Sequence, residues 1–429
     1  MKWRVDNIHP VIDGEPSANT TSVLVVDGRI AALGADLSGE RVEREVDGAG
    51  QWLLPGLIDL NCHLPEPGSD RGGSIESETR AAARGGFTTV CTTPDTSPVN
   101  DSGAVTHLIL DVAERNGHTR VLPVGALTRG LEGERLSDMA GLTRAGCVAL
   151  GNGGHTNASS RVLRRCMAYA HTFGVRLFLQ PENASLASDG CAHDGLVAAR
   201  LGLPGIPEVA ETTAVNELLM LAEETGANLH IGPLSCARSV TLVRAAKEAG
   251  HNVTAEVGIA HLVATESAIE GYNGTFHSRP PLRTEADRRA LLEGVESGVI
   301  DAIVSQHRPS DKAAKLAPFP ETQPGLSTVE STLSLGLERV AAGELSRQAL
   351  LRALTTGPAR VLGLEAPTIT EDRVADLTLV APEQHWMPAA RNLYSAGPHL
   401  PVMERELPGV VMLTAVDGRI RYEHEGDGT

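Results

Sequence analysis

Polar side chains able to bind a ligand or a metal recur in this chain just past short apolar runs. Asn61 and His63 follow GLIDL, Asp95 follows TTVCTTP, Asn152 ends CVALGN, Gln180 lies in RLFLQP, and Gln306 ends AIVSQ with His307 beside it. Gathered in one cleft, these residues would present carboxamide donors and acceptors together with Asp95, His63 and His307. Such a set suits hydrogen bonding to a neutral small molecule. It is poor for a metal. A catalytic zinc takes three protein ligands from among His, Cys, Asp and Glu, and a neutral Asn or Gln brings no charge to balance a dication. A relocated centre would have to combine His63 with His155, Cys62 and His307. Cys62 stands between Asn61 and His63, so on an extended segment it faces the other way.

The runs that carry these residues are the signal for the fold. Eight of them follow one another: GLIDLNC (56–62), TTVCTTP (88–94), RVLPVGAL (120–127), CVALGN (147–152), RLFLQP (176–181), NLHIGPL (228–234), NVTAEVG (252–258) and AIVSQH (302–307). Between them lie amphipathic stretches such as SRVLRRCMAYAHTFG and AVNELLMLAEETG, with apolar residues at i, i+3 and i+4 and a glycine near the end. Strands alternating with helices mean βα units on a parallel sheet, and eight units predict a (β/α)₈ TIM-type barrel. In that fold a site forms at the C-terminal ends of the strands, where the residues named above fall. The two ends of the chain read differently. VLVVDGRIAALG turns at Asp27-Gly28 and VVMLTAVDGRIRYE at Asp417-Gly418, both hairpin signals. The predicted organisation is an α/β barrel over 55–358 and one small composite β domain built from 1–54 and 359–429.

Composition narrows the function classes. The chain has 429 residues, 41% of them hydrophobic, enough for a barrel and an accessory domain, but only 3% aromatic, so the core must be aliphatic. A formal charge of −17 argues against nucleic acid or an anionic membrane as partner. The arginines of SRVLRRCMAYAH are read as an exposed helix face. The six cysteines show no C-x-x-C pair, which fits buried thiols in a reducing cytoplasm. The opening MKWRVDNIHPVIDGEP has no signal-type apolar core, and no run of 18 apolar residues occurs, so a soluble cytoplasmic protein is expected. No Walker loop or dinucleotide fingerprint stands in its required context. His385 and His399 are expected at the surface.

Several motifs in fixed order carry a resemblance. PGLIDLNCHLPEPG (55–68) resembles the P-G-x-I-D-x-H-x-H-x-R-x-P-G opening of dihydroorotases and allantoinases, in the amidohydrolase superfamily. GGFTTVCTTPDTSP (85–98) is similar to G-G-F-T-T-x-x-x-M-P-N-T-x-P, and AGCVALGNGG (145–154) to A-G-x-x-A-F-S-D-D-G. VTAEVGIAHL (253–262), RPPLR (279–283) and DAIVSQHRPSD (301–311) resemble V-T-A-E-V-T-P-H-H-L, N-P-P-L-R and D-x-I-A-T-D-H-A-P-H. The match runs from about residue 20 to the end.

The resemblance implies a zinc-dependent hydrolase of cyclic amides with six metal-ligand positions. Laid on this sequence, the first histidine falls on Asn61 and the second is kept as His63. The bridging carboxylate falls on Leu150–Gly153, with Asn152 the polar residue there. The fifth-strand histidine falls on Gln180, the sixth-strand histidine on Pro233, and the eighth-strand aspartate, which is also the general acid/base, on Gln306. The substrate-gripping arginine falls on Pro65 and its helper asparagine on Asp95, where a carboxylate would repel a carboxylate substrate. His261 and His307 match histidines that are not ligands. The expectation is therefore a vestigial pocket at Asn61, His63, Pro65, Asp95, Asn152, Gln180, Pro233 and Gln306, with no catalytic residue, no metal and no cofactor. The chain is similar to the non-catalytic dihydroorotase-like chains that associate with aspartate transcarbamoylase in some bacteria. That implies a structural subunit of a hetero-oligomer in pyrimidine biosynthesis, partnered by the transcarbamoylase catalytic chain. The alternatives are an active metal-dependent amidase with an unusual centre, or a small-molecule sensor.

Overall fold

The computed structural model describes residues 1–34, 37–68, 72–156 and 158–424. Each of the eight apolar runs holds a strand: Leu57–Asp59, Phe87–Thr92, Arg120–Ala126, Ala149–Gly151, Arg176–Leu179, Asn228–Ile231, Val253–Gly258 and Ala302–Val304. They pair in that order, all parallel. The expected (β/α)₈ barrel is what forms. Several strands stop short of the run that encodes them. The first ends at Asp59 and the eighth at Val304. Asn61, His63, Gln180 and Gln306 thus stand where the chain leaves the sheet.

The first and eighth strands share no ladder, and the seam between them closes just beyond. The His63 backbone N–H donates to the His307 carbonyl at 2.8 Å, within a parallel bridge between Cys62 and His307. The Asp59 carboxylate accepts the Ser305 backbone N–H at 3.1 Å and bonds the Ser305 hydroxyl with its other oxygen.

Alternation along the strands sorts their side chains. Ile58, Leu60, Val124, Ala149, Ala302 and Val304 pack together with Ala359, Val361 and Leu362 of the helix Thr356–Leu362, an aliphatic filling that accords with the scarcity of aromatics. Leu57, Phe87, Leu150, Leu177, Leu229 and Ile303 join the larger cluster that includes the surrounding helices. The helix Ser160–Thr172 illustrates the arrangement: Cys166, Met167 and Ala170 are buried, while Arg161, Arg164 and Arg165 are exposed. An excursion between the fifth and sixth strands was not anticipated. It holds the helices Ala184–Ala187 and Leu196–Leu201 and a two-stranded sheet of Ala192–His193 with Gly205–Ile206.

The second sheet draws on both ends of the chain. Its order is Arg419–Glu423, Leu407–Val416, Leu377–Trp386, Arg44–Pro55, Lys2–Ile12, Thr21–Val26 and Arg29–Gly34, with Glu15–Pro16 paired to the side. Trp3, fully buried, donates its indole N–H to the Gly418 carbonyl at 2.7 Å. Both anticipated hairpins turn with two successive positive φ angles, 47° and 86° at Asp27-Gly28 and 49° and 69° at Asp417-Gly418. Among the described residues, no helix is long and apolar enough to cross a membrane.

Candidate functional site at the barrel mouth

A cavity of about 420 Å³ opens at the C-terminal ends of the strands. Asn61, His63, Asp95, Asn152, Gln180 and Gln306 all line it. Pro65 and Pro233 are buried and do not, although Gly232 does. Four polar groupings form its walls and floor.

At the floor, Asn61 donates its amide to Glu256 at 2.8 Å. The second oxygen of Glu256 meets His230 Nε2 at 3.1 Å, and His230 Nδ1 meets the Thr254 hydroxyl at 2.8 Å. On one wall, the Thr93 hydroxyl donates to Asp95 at 2.6 Å and so accepts from His63 Nδ1 at 2.9 Å. That places the His63 proton on Nδ1. Arg308 Nη2 donates to the other Asp95 oxygen at 2.6 Å. Burial alone would raise the Asp95 pKa, but the charge of Arg308 and the bonds from His63 and Thr93 hold it well below the usual carboxylate range. Burial, reinforced by Arg308, lowers the pKa of His63, so its ring is neutral at pH 7.

On a second wall, the Asn152 side chain clamps the backbone of Gln180, donating to its carbonyl and accepting from its N–H, both at 3.0 Å. On the remaining wall, Gln306 at φ 53° donates its amide to the Arg279 carbonyl at 2.9 Å. Arg279 in turn forks onto Glu182, with Nη2 at 2.6 Å and Nε at 3.0 and 3.1 Å from its oxygens.

The family model described as Dihydro-orotase-like matches residues 50–239. A "Dihydroorotase-like protein" of Pseudomonas aeruginosa is 44% identical over 92% of this chain and 93% of its own length. The chain belongs to the dihydroorotase-like family. Another relative of that description, from Pseudomonas putida, is 42% identical over 97% of this chain and 98% of its own. A "Dihydroorotase" of Syntrophotalea carbinolica is 41% identical over 93% and 94%. Among solved structures, the L-hydantoinase (dihydropyrimidinase) of Arthrobacter aurescens superposes with a TM-score of 0.85 at 24% identity, covering 97% of this chain and 95% of that one. At that identity the likeness shows the fold alone, a (β/α)₈ barrel with an added β domain.

Within this dihydroorotase-like barrel, the donor set does not fit a hydrolytic dication. The amides of Asn61, Asn152 and Gln306 are engaged as donors to Glu256, the Gln180 carbonyl and the Arg279 carbonyl. Pro233 has no donor, and His63, whose Nδ1 is bonded to Thr93, brings one ring nitrogen, Nε2, where a catalytic zinc takes three protein ligands. Among the described residues, no group of three His, Cys, Asp or Glu side chains is placed to hold a metal ion. The relocated set does not assemble either. Cys62 is packed in the outer aliphatic cluster, where burial pushes its thiol well up. Both nitrogens of His307 are engaged: Nδ1 accepts the Thr328 N–H at 3.1 Å, so Nε2 carries the proton to Glu78 at 2.7 Å. His155 is exposed at the rim.

Two expectations need correction. Asp95 does not face the cavity as an uncompensated repulsive charge, because Arg308 pairs with it. His399 is not a surface residue; it is half-buried and ties its segment to the Asp311 carbonyl at 2.9 Å, whereas His385 is exposed. Sequence reasoning also overlooked Glu256, His230, Arg279 and Arg308. For the two arginines the signal was in motifs already aligned, where they replace the Asn of N-P-P-L-R and the Ala of D-H-A-P-H. Glu256 and His230 lie within apolar strands, and nothing local distinguishes them from buried structural polar groups.

Proposed function

We propose that this chain does not hydrolyse a cyclic amide and serves instead, in the cytoplasm, as a structural subunit packed against the catalytic chain of aspartate transcarbamoylase. One observation carries the loss of hydrolysis. Of the positions where the family resemblance puts metal ligands, only His63 keeps a ligand side chain, and the amides at Asn61, Asn152 and Gln306 are tied to protein acceptors. Without a metal-bound hydroxide and with Gln306 in place of the general acid/base, neither the nucleophile nor the proton transfer of amide hydrolysis is supplied. The assembly role rests on the resemblance to dihydroorotase-like chains that partner the transcarbamoylase, a role that needs fold and surface rather than a metal centre.

Two measurements test it. Elemental analysis of the purified chain and assay with dihydroorotate should give no stoichiometric metal and no turnover. Co-expression with the cognate transcarbamoylase should give a complex on gel filtration. Bound zinc with turnover would establish the competing reading, a cyclic amidase like the relatives called dihydroorotase. A transcarbamoylase fully assembled and active without this chain would remove the structural role.

A further inference from the structure

We propose that the barrel mouth is a metal-free binding site for a small organic or inorganic anion, held between Arg279 and Arg308. This goes beyond the structural-subunit reading and does not depend on it. Both arginines line the same cavity of about 420 Å³ and stand where the aligned motifs carry an uncharged Asn and Ala. Each is fixed by a carboxylate that faces it from a different element. Asp95, with a side chain 11% exposed, takes only Nη2 of Arg308, and Glu182, 6% exposed, takes Nε and Nη2 of Arg279. Among the described residues, Nε and Nη1 of Arg308 and Nη1 of Arg279 have no protein acceptor. The two side chains are 40% and 36% exposed, and both residues line the cavity.

An anchored guanidinium with unused N–H groups is a preorganised receptor for a carboxylate or phosphate oxygen, since its geometry is set before the ligand arrives. The negative charges in the lining are already engaged: Asp95 by Arg308, and Glu256 at the floor by the Asn61 amide and His230. Around the arginines, the Gln180 side chain and the neutral His63 ring supply further polar contacts without charge.

The test uses the full chain, treated with chelator and titrated calorimetrically at constant ionic strength with succinate and, separately, inorganic phosphate. Saturable binding of one anion per chain by at least one probe is expected. Preference for succinate assigns a carboxylate ligand, and preference for phosphate assigns a phosphate-bearing one. Arg279→Gln and the charge-neutral double variant Asp95→Asn/Arg308→Gln should each weaken binding at least about tenfold. Should the double variant melt early, Arg308→Lys replaces it; it keeps the charge and loses the fork, and it should weaken binding measurably. Absence of binding by either probe, or full affinity in either variant, would overturn the two-arginine site. Turnover and metal content are read on untreated protein, so failure of this inference and failure of the functional reading are separate results.

Discussion

Asp59 and Ser305 close the barrel: the buried carboxylate takes the backbone N–H and the hydroxyl of Ser305 across the gap between the first and last strands. Burial raises the Asp59 pKa from its ordinary value near 3.8 to about 6, against the opposing pull of those hydrogen bonds. The fold therefore holds a proton on Asp59 more tightly than the unfolded chain does. Its contribution to stability is full below about pH 4 and declines as pH rises through 6, an effect on the order of 3 kcal/mol. Asp59→Asn imitates the protonated group and should flatten this part of the stability profile. Denaturant titrations of both proteins between pH 4 and 7 check it, and parallel profiles would rule out the assignment.

Removing Arg308 should be felt at His63. Burial and then Arg308 lower the His63 pKa, while Asp95 raises it. With Arg308→Ala the repulsion vanishes and Asp95 turns its full charge toward the ring. The His63 midpoint should move up, while burial continues to hold it down. Imidazole resonances followed by NMR across pH 4 to 9 report this directly. An unmoved midpoint would mean that the Asp95–Arg308 pair does not act on His63. The variant also leaves Asp95 without its cation, at a cost to stability of about 1–3 kcal/mol.

Chelation should not change thermal stability. Where a metal is held by the native fold alone, its removal lowers the melting midpoint. The side chains at this mouth bond one another rather than leaving converging donors, so chelator-treated and untreated chains should melt together. A drop of several degrees on treatment, restored by zinc, would contradict the donor analysis.

Two glycines with nearly equal φ should respond differently to alanine. Gly50 has φ +75° and open space where a Cβ would go, so Gly50→Ala should cost only the backbone strain, about 1 kcal/mol. Gly418 has φ +69°, and a Cβ there would sit 2.5 Å from the Gly28 backbone in the neighbouring hairpin. Gly418→Ala must also push the two turns apart and disturb the bond from Trp3 to the Gly418 carbonyl, so it should cost at least about 2 kcal/mol more. Equal losses in chemical denaturation would argue that the turns do not touch in solution.

The barrel was legible from local pattern because hydrophobic alternation and the intervening amphipathic helices are written into neighbouring residues. The hairpins at Asp27-Gly28 and Asp417-Gly418 were legible because their backbone needs residues that tolerate positive φ. The expectation that Asn61, Gln180, Pro233 and Gln306 stand at the ligand positions the resemblance implies also came from residue type alone, since donor chemistry is a property of the residue itself. Pairing across the molecule was not legible. That Asp95 meets Arg308, 213 positions away, and that Asn61 meets Glu256, 195 away, follows from how the strands close into a cylinder. Those contacts turn a repulsive aspartate into a compensated one and engage the Asn61 amide. Charge acts through space, and only the folded chain sets the distances over which it acts.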